Sequence, residues 1–307
     1  VADWTARDVP ELSGKTVVVT GGNSGLGFES ARVLASKGAE VILACRSVSR
    51  GQSAKQEIAT RLPDARLRVM KLDLQDLSSI EGFATEFGTH CRRLDVLLNN
   101  AGIMNTPYRL TQDGFESQMG TNHLGHFALT GRLLDVLART PGSRVVTVSS
   151  SGHRAGTMDF GNLLFQNERG YTPFKAYSRS KLANLLFAYE LQRRLERHGV
   201  DCMSLAAHPG AAQTDLGKHI EDEFFMRLLK PVLKRVVQGP KSGALPQIRA
   251  SADPTVRGGQ YYGPDGLFQM SGSPVQVQSS RASRNTHDAD KLWEESERLT
   301  GVLYRFS

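Results

Sequence analysis

Cysteine is scarce in this chain: Cys45, Cys91 and Cys202 are an odd number, and no two of them stand in C-x-x-C spacing. That argues against a disulfide framework and against a zinc site, and it suits a reducing, intracellular compartment. Long apolar runs are missing as well, and the first residues, Val1 to Lys15, mix Asp3, Arg7, Asp8 and Glu11 with few apolar positions. We therefore expect no signal peptide, no integral membrane segment and a cytoplasmic protein. Dense charge blocks are absent too. The 38 Lys and Arg against 31 Asp and Glu leave a net charge of +7, but the basic residues are dispersed, so no nucleic-acid partner is expected. No internal repeat or low-complexity linker divides the 307 residues, and 39% apolar content suffices for a sizeable core.

What is present is an alternation. Lys15 to Thr20 is a β-branched run with almost no polar interruption, the mark of a strand covered on both faces. The glycine-rich stretch Gly21-Gly22-Asn23-Ser24-Gly25-Leu26-Gly27 follows, and a helical pattern runs from Phe28 to Ala35. Strands are then expected at 40–45, 66–72 and 94–99, with helices at 52–62 and 77–87 between them. A long helix is expected over 115–139, strands at 144–149 and 200–206, and between those two strands a helix over 176–197. Such a series predicts an α/β fold: a single-domain Rossmann-type doubly wound parallel sheet with helices on both faces. We read 1–307 as one domain, with an N-terminal arm at 1–14 and a C-terminal tail at 264–307 carrying a short helix after a last strand at 258–262.

Glycines directly after the first buried strand make the tight turn, let the backbone approach a pyrophosphate and aim a helix N-terminus at it. The second strand ends Ala44-Cys45-Arg46, where an acid would hold a ribose 2′-hydroxyl and a guanidinium instead pairs with a 2′-phosphate. Arg46 thus points to NADP(H), the alternative being a surface arginine paired with a nearby carboxylate. Farther on, Tyr177 and Lys181 stand four residues apart on one helix face. A close ammonium favours the phenolate, and bringing a phenol from ~10 to ~7 takes roughly 4 kcal/mol of differential stabilisation. Such a tyrosine exchanges a proton with an alcohol or carbonyl near neutral pH. His123 and His126 have no H-E-x-x-H motif or carboxylate cluster about them, so they read as packing or helix-surface histidines, and no metal is expected.

Taken in order, these motifs resemble the short-chain dehydrogenase/reductase family from Leu12 to about Gly263. Thr20 to Gly27 is similar to its TGxxxGxG signature, Asp73-Leu74 resembles its adenine-holding pair, and Asn99-Asn100-Ala101-Gly102 is its NNAG. The resemblance implies a catalytic tetrad of Asn122, Ser150, Tyr177 and Lys181. Tyr177 would be the general acid or base, and Ser150 would orient the substrate oxygen. Lys181 would hold the ribose and depress the tyrosine, and the Asn122 backbone carbonyl would relay protons. Implied cofactor contacts are Gly21, Asn23, Ser24, Gly25, Leu26, Gly27, Arg46, Asp73, Leu74, Asn99, Ala101, Gly102, Tyr177, Lys181, Pro209, Gly210, Ala212 and Thr214. Ser149 and Ser151 flank the catalytic position and read as strand caps.

The long stretch between Ser150 and Tyr177 resembles the branch that contains retinol dehydrogenases and related lipid-carbonyl reductases. Light-dependent protochlorophyllide reductases are similar too, but they carry a cysteine directly after Pro-Gly, where Ala211 stands here. The expected activity is NADP(H)-dependent hydride transfer to or from a carbonyl or alcohol of a small hydrophobic substrate. An NAD-linked alcohol dehydrogenase and a non-catalytic dinucleotide-binding sensor are the alternatives. The apolar stripe of 215–238, with Phe224, Phe225, Leu228 and Leu229 and a central Pro231, suggests a substrate lid over 215–240, of two short helices rather than one. A subunit-packing helix or a membrane-surface helix would show the same stripe, which leaves a homo-oligomer open.

Overall fold

In the computed structural model, residues 3–211 and 238–306 are described. Ala212, Thr214 and the expected lid up to residue 237 lie outside them.

The first strand forms where the sequence concentrates β-branched residues: β1 (Thr16–Thr20) is buried throughout. It leads into α1 (Gly25–Ser36), β2 (Glu40–Cys45), α2 (Val48–Arg61), β3 (Leu67–Lys71), α3 (Leu77–His90) and β4 (Val96–Asn99). Beyond these come α4 (Gly125–Ala138), β5 (Ser143–Val148), α5 (Pro173–Arg197), β6 (Cys202–Ala207), α6 (Leu245–Ala252) and β7 (Tyr261–Pro264). The sheet has eight strands in the order β3-β2-β1-β4-β5-β6-β7-β8, with β8 at Pro274–Gln276. All neighbours are parallel except β7 and β8, which pair antiparallel with Tyr262 opposite Gln276. The chain winds from β1 outward to β3 and then returns to β4 on the other side of β1. This reversal opens a crevice at the carboxyl ends of β1 and β4.

Side chains alternate across the sheet and build a core on each face. Val17, Val19, Val41, Leu43 and Leu98 pack under α1, α2 and α6. Val18, Ile42, Leu97 and Val145 pack under α3, α4 and α5, together with Trp293. The C-terminal tail is more than a short helix: α7 (Thr286–Thr300) buries Leu292 and Trp293. The Trp293 ring meets Phe127 of α4 edge-on at 5.2 Å and stacks on Phe187 of α5 at 5.9 Å. The sequence hides this because charged residues dominate the exposed side of α7, whereas its buried stripe is only a few residues wide.

The single helix expected over 115–139 is interrupted. One α turn, Ser117–Met119, runs into a π turn at Gly120–Leu124 before α4 begins. Single π turns of this kind are frequent at functional sites, and Asn122 sits inside this one. The three cysteines are buried and unpaired. No helix among the described residues is long and apolar enough to cross a membrane, and no group of three His, Cys, Asp or Glu among them is placed to hold a metal.

Candidate active site

A cavity of about 330 Å³ occupies the crevice, lined by the turn after β1, the turn after β4, the end of β5 and one face of α5. The β1 turn is shaped by two glycines. Gly21 has φ +65°, and a Cβ on Gly27 would lie 2.3 Å from the Gly21 carbonyl oxygen and 2.6 Å from Asn100 Nδ2, so this backbone packs closer than any side chain allows. At the start of α1 the N-cap Ser24 makes no side-chain capping bond. The first-turn amides and the positive end of the helix dipole are thereby left for an anionic group. This uncapped, close-packed cradle fits a dinucleotide pyrophosphate.

Of the residues expected to touch cofactor, Gly21, Asn23, Ser24, Gly25, Leu26, Gly27, Ala101, Gly102, Tyr177, Lys181 and Pro209 line the cavity. Asn99 does not. It is the last residue of β4, and its Nδ2 donates to Thr130 Oγ1 at 3.0 Å inside the helical layer. Its neighbour Asn100 lines the cavity instead, held by Nδ2 to the Thr20 carbonyl at 2.8 Å and by Gln247 Nε2 to its Oδ1 at 3.0 Å. Leu74 packs in the core below α4 rather than toward the cavity. Asp73 Oδ1 accepts from the Gln75 amide at 3.0 Å. Gly210, with φ +67°, turns the chain after Pro209 tightly against Met270, whose carbonyl oxygen would lie 2.4 Å from a Cβ there. Arg46 stands exposed beyond β2; no carboxylate of the described residues lies within ion-pair distance of it.

The helix that carries Tyr177 starts at a defined point: Thr172 caps it by accepting from the Lys175 amide at 3.2 Å, and Pro173 takes the first helical position. Lys181 Nζ donates to the Val148 carbonyl at 3.1 Å and lies 5.8 Å from the centre of the Tyr177 ring. Ser149 is no mere strand cap: its Oγ donates to the Lys181 carbonyl at 2.7 Å and fastens α5 to β5. Ser150 Oγ accepts from the Gly152 amide at 3.1 Å. The Ser150 carbonyl is gripped by His153 Nδ1 at 2.6 Å, whose Nε2 accepts from the Ser280 amide at 3.1 Å. The Asn122 side chain is held on three sides, with Oδ1 accepting from the Ile103 amide at 2.8 Å and Nδ2 donating to the Ile103 carbonyl and Ser180 Oγ, both at 2.9 Å.

The electrostatics correct one expectation. Burial pushes the Tyr177 phenol up, and the hydrogen bond with Ser150 only partly opposes it. Lys181 is itself pushed down to about 8 by burial. Both partners are stripped of water, so each resists charging, and desolvation outweighs any favour the lysine gives the phenolate. At neutral pH the phenol keeps its proton.

Two residues that the sequence reading passed over organise the surroundings. Arg179, between Tyr177 and Lys181, is 1% exposed. It donates to the carbonyls of Thr157 at 3.1 Å, Asn162 at 2.6 Å and Leu163 at 3.0 Å, and it stacks 4.0 Å over the Phe165 ring. It thereby anchors the long segment between Ser150 and the tyrosine. Thr20 Oγ1 receives the amides of Asn100 and Ala101, both at 2.9 Å, and so pins the β4 turn to the β1 turn. The helical register of Arg179 with Leu182, Ala183 and Leu186 was the available signal for the first; the second depends on partners 80 residues away.

The family model described as "short chain dehydrogenase" matches residues 15–223. Retinol dehydrogenase 11 of Homo sapiens is 41% identical over 296 residues, covering 95% of this chain and 87% of that protein. Retinol dehydrogenase 12 of Homo sapiens is 40% identical over 304 residues, covering 99% and 92%. Among solved structures, an uncharacterised Mycobacterium paratuberculosis protein matches with TM-score 0.82 and 41% identity over 99% of this chain and 100% of its own. A Shigella flexneri short chain dehydrogenase complexed with NADP shares the fold, at TM-score 0.64 and 21% identity over 82% and 97% of the two chains.

Proposed function

The chain belongs to the short-chain dehydrogenase family, and from that premise we propose that it is an NADP(H)-dependent oxidoreductase acting on the carbonyl or alcohol of a retinoid-sized hydrophobic molecule. The observation that carries the reading is the meeting of Tyr177 and Lys181 with the glycine cradle and the Asn100–Gly102 turn around one cavity. Ile103, Met104 and Val148 give that cavity an apolar wall suited to a lipophilic substrate. The retinol dehydrogenases that resemble this chain along nearly its whole length support the substrate class.

The nicotinamide, when bound, supplies or accepts the hydride. The residues of this chain then have separable tasks. The α1 N-terminus and the β1 turn hold the pyrophosphate, and Arg46 meets the 2′-phosphate. Lys181, beside Gly102, holds the ribose. Ser150 and the Tyr177 hydroxyl are assigned to the substrate oxygen, where two donors meet the negative charge that builds there. Tyr177, protonated at neutral pH, gives its proton to that oxygen during reduction. Lys181 and the Asn122 carbonyl return a proton to the phenol between turnovers. The whole chain works as one domain in the cytoplasm.

The test is Tyr177→Phe, assayed with NADPH and all-trans-retinal or linear C8–C12 aldehydes. Turnover should fall by about three orders of magnitude or more, with NADPH still bound in calorimetry. Near-full turnover in this variant would refute the mechanism.

A further inference from the structure

His126, on the first turn of α4, is 1% exposed and joins two walls of the crevice. Its Nε2 lies 2.9 Å from Thr20 Oγ1 at the end of β1, and its Nδ1 lies 3.1 Å from the Asn122 carbonyl oxygen in the π turn. The neighbours decide which nitrogen carries the proton. Thr20 Oγ1 already accepts the amides of Asn100 and Ala101, which uses both of its lone pairs. Its hydrogen must be given away, and His126 Nε2 at 2.9 Å is nearer than the Leu98 carbonyl at 3.3 Å. Nε2 is therefore bare, and Nδ1 donates to Asn122.

The Asn122 side chain is held by Ile103 and Ser180, so it is the backbone carbonyl, given the proton-relay role above, that is taken to address Lys181. That carbonyl has two lone pairs, and His126 takes one of them. Gly102 marks how close the parts are: a Cβ there would lie 3.2 Å from Asn122 Oδ1 and 3.4 Å from Lys181 Nζ.

We propose that His126 is a positioning residue for hydride-transfer chemistry: a neutral imidazole, protonated on Nδ1, that aims the Asn122 carbonyl at Lys181. Through the Thr20 hydroxyl it also holds the Asn100–Gly102 turn against the cofactor side of the crevice. The inference rests on the roles given above to Asn122, Tyr177 and Lys181. It assigns His126 no contact with substrate, so its loss acts on turnover more than on substrate affinity.

The experiment compares His126→Phe, which fills similar space without either hydrogen bond, with His126→Gln, whose amide can both accept from Thr20 and donate to Asn122. Reduction of decanal by NADPH is followed per folded molecule. In His126→Phe, kcat should fall about tenfold or more while KM for decanal changes less than about threefold, and His126→Gln should recover most of the loss. A packing role predicts lower melting temperatures with unchanged kcat in both variants, and that result overturns the proposal. Nitrogen chemical shifts of His126 in the NADP-loaded unmodified protein give a second reading that does not depend on a variant folding. The Nδ1–H tautomer is expected, and finding the Nε2–H tautomer overturns the proposal. Turnover lost in Tyr177→Phe but intact in His126→Phe defeats this inference alone, whereas turnover that survives Tyr177→Phe defeats the function beneath it.

Discussion

Acid should unfold this protein through three histidines, and the size of the effect follows from where they sit. His123, His126 and His208 are each 1% exposed. Burial pushes them down from 6.5 to about 3, about 4 and about 4. Their neighbours oppose a second proton: Lys181 bears on His126, His126 on His123, and His153 with Arg154 on His208. His208 Nδ1 also accepts from the Gly210 amide at 3.2 Å, a bond that protonation there would break. The native state therefore keeps all three neutral while the unfolded chain binds protons as pH falls through 6.5. Stability is intact above that point, declines as pH drops, and stops declining below about 4, or about 3 for His123. Between pH 7 and pH 5 each imidazole should cost about 2 kcal/mol, and the three together about 6 kcal/mol, against a total stability of about 5–15 kcal/mol for a typical domain. Urea unfolding followed by tryptophan fluorescence at pH 7, 6 and 5 measures this directly, and near pH 5 unfolding should take up about 2–3 protons. His208→Asn keeps an acceptor for Gly210 and should remove about a third of the pH dependence. An unfolding midpoint that stays constant from pH 7 to pH 5 would refute the reasoning.

Arg46→Ala should erase most of a preference for NADP(H) over NAD(H) by losing a charge-assisted contact of about 1.5–3 kcal/mol; equal affinity of the unmodified protein for both cofactors in calorimetry would defeat that assignment. Gly27→Ala forces a methyl group to 2.3 Å from the Gly21 carbonyl, so cofactor affinity should drop by about tenfold or more while the circular dichroism spectrum is kept; unchanged affinity would mean that the turn yields freely. Arg179→Met leaves three carbonyls without their donor and should cost about 3 kcal/mol, with limited proteolysis appearing first within 156–172; cleavage elsewhere first would contradict the anchoring role.

The legible parts of the molecule share a physical cause. β1 and β2 can be read from sequence because strands covered on both faces admit only apolar residues, and Tyr177 with Lys181 because a helix repeats faces at four-residue spacing. By resemblance Asn99 is an implied cofactor contact, but side chains alternate along β4, and parity sends Asn99 toward Thr130 and leaves Asn100 on the cavity. The π turn around Asn122 left no such trace: Gly120, Thr121 and Asn122 are weak helix formers, but residue type does not separate a π turn from an α turn. Neither did the union of His126 with Thr20, which lie 106 positions apart. The phenol of Tyr177 was expected to ionise more easily because a lysine beside it is visible in sequence, while the depth at which both are buried is not.

Arg179 has a consequence for anyone who would redesign this enzyme. The segment between Ser150 and Tyr177 looks like an exchangeable module, inserted between two fixed catalytic positions and free to be swapped for another specificity loop. Its fastening, however, is written into the recognition sequence of the helix itself, one side chain reaching back from between tyrosine and lysine to three carbonyls of the insert. Transplanting the loop without residue 179 moves a lock without its key. A shortened loop would in turn strand a guanidinium two residues from the proton donor. Loop and helix are coupled, and any exchange of the loop has to carry residue 179 with it.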